Sequence, residues 1–279
     1  MASIKNSPAE PTDGRWIVTP EIARAWLARF NIKNRHPRPE QIAALSRTIR
    51  NKEWIYNAEP ITFSPSRLIQ GQHRLMACAA TGIAIDTDVR TGVADAAYAT
   101  IDGGCRRSNA DHLSVEGEKN SFALAAAVGW LWRWERGGSF ANPGTPTPIE
   151  VADLLKRHPQ IRASIVATRT TALRKLSGTV AAFVHYRANQ IDAEACERFF
   201  RGLSDGIGIE SKTDPIWLLK NRLECNREAK AKLLQHEILA LYIKAWNCHR
   251  RGRTMKSLRW RTTGDAPETF PGFDDGAVR

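Results

Sequence analysis

"LIQGQHRLMACAATG", residues 68–82, runs from an apolar stretch through Gly71 and a polar triplet, Gln72, His73 and Arg74, into a second apolar stretch. Leu68 and Ile69 suit a short strand. Leu75, Met76 and Cys78 give a helix something to bury, and Gly82 stops it. The first turn of a helix has amides with no acceptor inside the helix and carries a partial positive charge, so it attracts anions. Gly71 permits close backbone approach, Arg74 can grip an oxyanion with two donors, and His73 can donate to a phosphate oxygen or shuttle a proton. A plain helix cap with two solvated side chains fits the same letters. The strand-to-helix position favours a ligand there.

Upstream, "TPEIARAWLARF" places Thr19 as a cap and Pro20 at the first helical position, with Ile22, Trp26, Leu27 and Phe30 on one face. A loop broken by Pro37 and Pro39 leads to a second amphipathic helix through Ile42, Leu45 and Ile49. "PITFS" and "RLIQ" read as two strands, and "IAIDTDVRTGV" after Gly82 alternates as a third. Helix, helix, strand, strand, helix, strand within about ninety residues makes a small mixed α/β unit. From "EKNSFALAAAVGWLWRWERG" onward the segments read as helices, over 148–157, 160–176, 179–188, 193–203, 215–226 and 228–250. The expected class is α+β. A loose N-terminus spans 1–14, a mixed domain 15–115, a mostly helical domain 116–261 and a loose tail 262–279.

The 279 residues include 41 basic and 29 acidic side chains, a formal charge of +12. Such a surface draws polyanions, nucleic acid first among them. The five cysteines are scattered and form no CxxC pair, which supports neither a structural zinc nor a disulfide framework. Reduced thiols in a cytoplasmic setting account for them. "MASIKNSPAEPTDGRW" has no apolar core of the kind a signal peptide needs. The longest apolar run, Phe122 to Trp132, is too short to span a bilayer, so no membrane partner is expected.

The 68–82 stretch resembles the phosphate-binding motif of the ParB/sulfiredoxin-like proteins, in the "DGQHR" form found in phage and mobile-element proteins. Two further stretches agree in order, "NIKNRHPRPEQIAALSRTIRNKEWIYNAEPITF" before it and "TIDGGCRRSNADHL" after it. The resemblance implies a ParB/sulfiredoxin-like fold for the mixed domain, set in the cytoplasm of a bacterial host if phage-encoded. It implies an NTP (CTP or ATP) with Mg2+ as ligand, and NTP hydrolysis or phosphoryl transfer on or near DNA. Arg35, Arg38, Gly71, Gln72, His73, Arg74 and Arg107 would then face the nucleotide. Gln72 stands where sulfiredoxins carry their catalytic cysteine, which argues against sulfinic-acid reduction. Gln70 replaces the usual aspartate, and no ParB helix-turn-helix is visible, so operator recognition is not implied. A non-catalytic DNA-binding regulator, or a packaging or partition factor, is the alternative reading. A ParB-like nuclease ranks last, because no clustered Asp, Glu and His set is visible and no side chain is assigned to a metal.

Glu59, before "PITF", is the candidate general base or magnesium contact, and with His73 and Arg74 completes the catalytic set. Asp102, Ser108 and Asp111 flank Gly103 and Gly104. They either converge with Arg107 on the pocket or pin the turn, with Asp111 capping the next segment. The acid-free segment "KAWNCHRRGRTMKSLRWR" holds Lys244, Arg250, Arg251, Arg253, Lys256, Arg259 and Arg261 with Trp246 and Trp260 interleaved, the composition of a nucleic-acid contact. Trp246 reads as core, and Trp130, Trp132 and Trp134 as packing. Nothing in the sequence opposes a homo-oligomer.

Overall fold

The computed structural model describes residues 10–99, 101, 107–137, 144–228, 233–261 and 267–274. The chain divides into two compact units, Met1–Arg106 with Gly144–Ile149, and Arg107–Pro143 with Glu150–Arg279. As the patterning implies, the class is α+β.

In the first unit the order is β1 (Gly14–Val18), α1 (Pro20–Phe30), α2 (Pro39–Arg50), β2 (Ile61–Phe63), β3 (Leu68–Gln70), α3 (Gln72–Thr81) and β4 (Ile85–Arg90). Thr19 caps α1 by accepting from the Ile22 amide at 3.3 Å, ahead of Pro20. The sheet order is β1-β4-β2-β3, with β4 antiparallel to β1 and parallel to β2, and β2 antiparallel to β3. β1 was not expected from the sequence. Its five residues bury only Trp16 and Val18, and its partner lies some seventy positions away at Ile85 to Val89. Ile85, Thr87 and Val89 alternate inward on β4, while α1 and α2 pack on α3. The core is an aromatic chain: Trp16 on Trp26 and Trp26 on Phe63, both at 5.2 Å, and Phe30 on Phe63 at 5.3 Å, each edge to face.

The turn from β3 into α3 admits only glycine. Gly71 has φ +102°, and a Cβ built there would stand 2.9 Å from Ile61 Cγ1 and 3.3 Å from Ile61 Cα. Gly82 ends α3 in the left-handed region, its amide donating to the Cys78 carbonyl at 3.2 Å.

The second unit contains α4 (Asn109–Val115), α5 (Ser121–Glu135), α6 (Pro148–Arg157) from Glu150 onward, α7 (Ile161–Ala167), α8 (Thr171–Lys175), α9 (Gly178–Ile191), α10 (Ala193–Asp205), α11 (Pro215–Glu228) and α12 (Gln235–Arg250). α9 packs on α5, α7, α8, α10 and α12, and its run from Val180 to Val184 is buried without interruption. The single helix expected over 160–176 is two. Thr170 accepts from the Leu173 amide and so starts α8, while Thr168 bonds back to the Ser164 carbonyl at 2.8 Å and closes α7. The helix expected from 228 begins instead at Gln235. Trp246 is fully buried, and Trp130 and Trp132 are core. The end of the chain, expected to be loose, sets Phe273 at 5.1 Å from Trp134 and Phe270 at 5.3 Å from Trp260. Among the described residues no helix is long and apolar enough to cross a membrane.

Candidate functional site

Where β3 turns into α3, a cavity of about 230 Å³ is lined by Asn34, Arg35, Ile69, Gln70, Gly71, Gln72, Tyr98 and Ile101. Each wall has a local cause. Asn34 holds its loop in place, donating to the Leu68 carbonyl at 3.0 Å and to Asn31 Oδ1 at 2.9 Å while its own Oδ1 accepts from the Arg35 amide at 3.2 Å. Arg67 donates to the Lys33 carbonyl at 3.2 Å, pairs with Asp95 at 3.4 Å, and lies 5.0 Å from the Tyr98 ring centre. That ties the 33–35 loop to the 3-10 turn over Asp95–Ala99 that carries Tyr98.

Gln72 opens α3 and is only 5% exposed. Its Nε2 donates to the Arg35 carbonyl at 3.1 Å, which fixes the orientation of the amide. The other end, Oε1, is buried and has no hydrogen-bond partner. A buried acceptor left in this state costs about 1–3 kcal/mol.

His73 and Arg74, expected to grip the phosphate, are turned inward and do not line the cavity. His73 is 4% exposed, and its Nε2 accepts from the Arg38 amide at 3.0 Å. A ring nitrogen in that role has no lone pair to offer a proton in transit. Arg74, 7% exposed, donates to the Glu59 carbonyl and, at 2.7 Å, to the Pro60 carbonyl. The backbone entering β2 needs donors at that point, and a long guanidinium supplies two. Both side chains therefore build the mouth of α3 from behind. Arg38 serves through its backbone and caps α2 without a side-chain bond. Glu59 has its carboxylate 3.9 Å from Arg74, is 62% exposed, and stands outside the cavity lining.

Arg107 is exposed and also outside the lining, and Asp102 falls outside the described residues. Ser108 and Asp111 have a structural task. Asp111 accepts from the Ser108 amide at 2.7 Å and Ser108 Oγ accepts from the Asp111 amide at 3.2 Å, a reciprocal cap on α4. The Ser108 amide, and its hydroxyl at 2.7 Å, both donate to the Asp111 carboxyl and hold it below its usual range.

The basic segment is partly neutralised by the end of the chain. Lys244 pairs with Glu268, Arg261 reaches the same carboxylate at 3.8 Å, Arg251 pairs with Asp274, and Arg250 reaches Asp192 at 3.7 Å and the Asp274 carbonyl. Trp260 donates to the Thr269 carbonyl and packs on Phe270, so it is not offered to a base. Arg253, Lys256 and Arg259 remain exposed with no acidic partner among the described residues.

Sequence reasoning passed over Tyr98 and Ile101 as cavity walls and Arg67 as the tie behind them; a lone tyrosine in a loop carries no pattern to find it by. Among the described residues there is no group of three or more His, Cys, Asp or Glu placed to hold a metal. Compared with known proteins, the chain finds no matching family model, no matching curated protein and no matching solved structure.

Proposed function

We propose that the chain binds a nucleoside triphosphate at the mouth of α3 and uses it as a switch for contact with DNA. The carrying observation is the cavity at Gly71, where a glycine-only turn, the start of a helix and Arg35 meet an unsatisfied buried acceptor on Gln72. Phosphate suits the helix mouth and the guanidinium. The Gln72 oxygen calls for a donor, and the sugar hydroxyls and base amines of a nucleotide carry several. No carboxylate is among the described lining residues, and Mg2+ would arrive on the nucleotide's own phosphate oxygens. The resemblance to ParB/sulfiredoxin-like proteins supports the same reading. Contact with DNA rests on the net charge and on Arg253, Lys256 and Arg259.

Binding rather than turnover is the reading favoured by a cavity with no carboxylate or imidazole among its described lining residues. Hydrolysis or phosphoryl transfer would fall to Glu59, whose carboxylate stands 3.9 Å from Arg74 behind the mouth. The test is calorimetric titration of each NTP with Mg2+ into the wild-type chain and Arg35→Ala, with released phosphate measured in parallel. Wild type should bind at least one NTP, and Arg35→Ala should bind it about tenfold more weakly, the loss of one charge-assisted contact. A folded wild-type chain that binds none at millimolar ligand ends the proposal. Phosphate release above background moves the reading from switch to enzyme.

A further inference from the structure

A second, larger cavity lies within the helical unit. This open cavity holds about 540 Å³ and is lined by, among others, Ser121, Phe122, Ile165, Arg169, Arg174 and Thr179. That volume lies in the range of small-molecule sites. Its polar wall is cationic. Arg174 has no acidic partner among the described residues, and Arg169 is held by a neutral one, Asn120 Oδ1. The one acid in the lining, Glu118, is already matched. Arg162 grips both its oxygens, with Nε at 3.1 and 3.0 Å, and holds its carboxyl below the usual range. Two exposed guanidiniums therefore border an open cavity with no acidic partner among the described residues.

The starts of α5 and α9 border the same space through Ser121 and through Gly178 and Thr179. Neither helix is capped by its own preceding side chain. Asn120 is turned to Arg169, and Ser177 donates to Gln235 at 2.9 Å. Those mouths add to the positive field that the arginines set. The lining also has an apolar part, Ala123, Ile165 and Ala182, and Phe122 stands 76% exposed on the first turn of α5. An exposed phenyl ring beside cations and hydroxyls is a platform for a flat ring that carries an anion.

We propose that this cavity binds a nucleoside monophosphate, its phosphate between Arg169 and Arg174 and its base on Phe122. The same chemistry is presented by a free mononucleotide and by the 5′-phosphorylated end of a strand. The site is separate from the mouth of α3 and does not depend on the triphosphate reading of that mouth.

The test uses the full chain and three probes: inorganic phosphate, AMP and CMP, and a short single strand with either a 5′-phosphate or a 5′-hydroxyl. A mononucleotide should bind at least about tenfold more tightly than inorganic phosphate, since the ring adds its own contact. Arg169→Ala/Arg174→Ala should weaken it by about 30-fold or more, while Arg35→Ala leaves it unchanged. Gly178→Leu gives a second check. A Cβ at Gly178 meets the Arg174 Cγ at 3.7 Å and the Leu173 carbonyl at 3.8 Å, ordinary contact distances, so a side chain there starts unstrained from the cavity lining. It should block binding with the helical circular dichroism retained. Displacement by the 5′-phosphorylated strand and not by the 5′-hydroxyl strand identifies a strand end as the source; displacement by neither identifies the free nucleotide. The proposal is overturned if the wild type binds no mononucleotide at millimolar concentration. Binding that survives both the double arginine variant and Gly178→Leu overturns it equally.

Discussion

Arg74 and Arg35 lie at one site and should answer to mutation in opposite ways. Arg74 supplies donors to two carbonyls from a buried position, so Arg74→Ala leaves acceptors unsatisfied and should destabilise the chain by about 2 kcal/mol in urea unfolding. Arg35 is exposed, and Arg35→Ala should leave stability within about 0.5 kcal/mol while weakening nucleotide binding. An Arg74→Ala chain that keeps its stability and loses only binding would return that side chain to the phosphate. Gly71→Ala meets both a left-handed backbone and a 2.9 Å approach to Ile61, and about 3 kcal/mol of lost stability is expected in the same assay. Residue types at this site were legible in the sequence, since glycine, histidine and arginine at a helix start signal a constrained and charged turn. Their directions were not. Which way His73 and Arg74 point depends on where the Arg38 amide and the 59–60 carbonyls end up, and only the folded loops decide that.

At the level of elements, signals confined to a few neighbouring residues were readable and distant pairings were not. Thr19 with Pro20, and Gly71 with Gly82, mark the ends of α1 and α3 by local chemistry alone. β1 has no such mark, because its strand character comes from β4. The terminal segment over 267–274 escaped notice for the same reason. Its composition suggests a loose tail, yet two phenylalanines pack and two acids meet the basic segment. Those acids occupy cations that the proposed DNA contact would otherwise draw on. Glu268→Gln/Asp274→Asn should therefore raise non-specific DNA affinity, and the log–log salt slope should steepen by about 0.9 for each cation that then reaches a phosphate. An unchanged slope would leave DNA contact to Arg253, Lys256 and Arg259.

The whole chain also carries a pH dependence with a definite sign. Burial pushes the imidazoles of His185 and His249 below their ordinary value of 6.5. Between that value and the lower folded one, the unfolded chain holds more protons than the folded chain, so stability rises with pH. It is fully present above 6.5 and declines as the pH falls below it. A thermal scan of the helical unit's melting at pH 7.5 and 5.5 should show the lower midpoint at 5.5, with a smaller difference in His185→Gln.

The path of the chain has its own consequence for dissection. Residues 144–149 belong with 1–106, after an excursion through 107–143 and before a return at 150. No single cut yields both halves intact. A truncation after Arg106 deletes the Thr145 carbonyl that receives Arg47 Nη2 at 2.9 Å, along with the buried Pro146. Such a fragment should succumb to protease faster than the parent. Excising either half cleanly calls for rejoining the backbone in a new order, with the 144–149 hexapeptide spliced onto the first fragment.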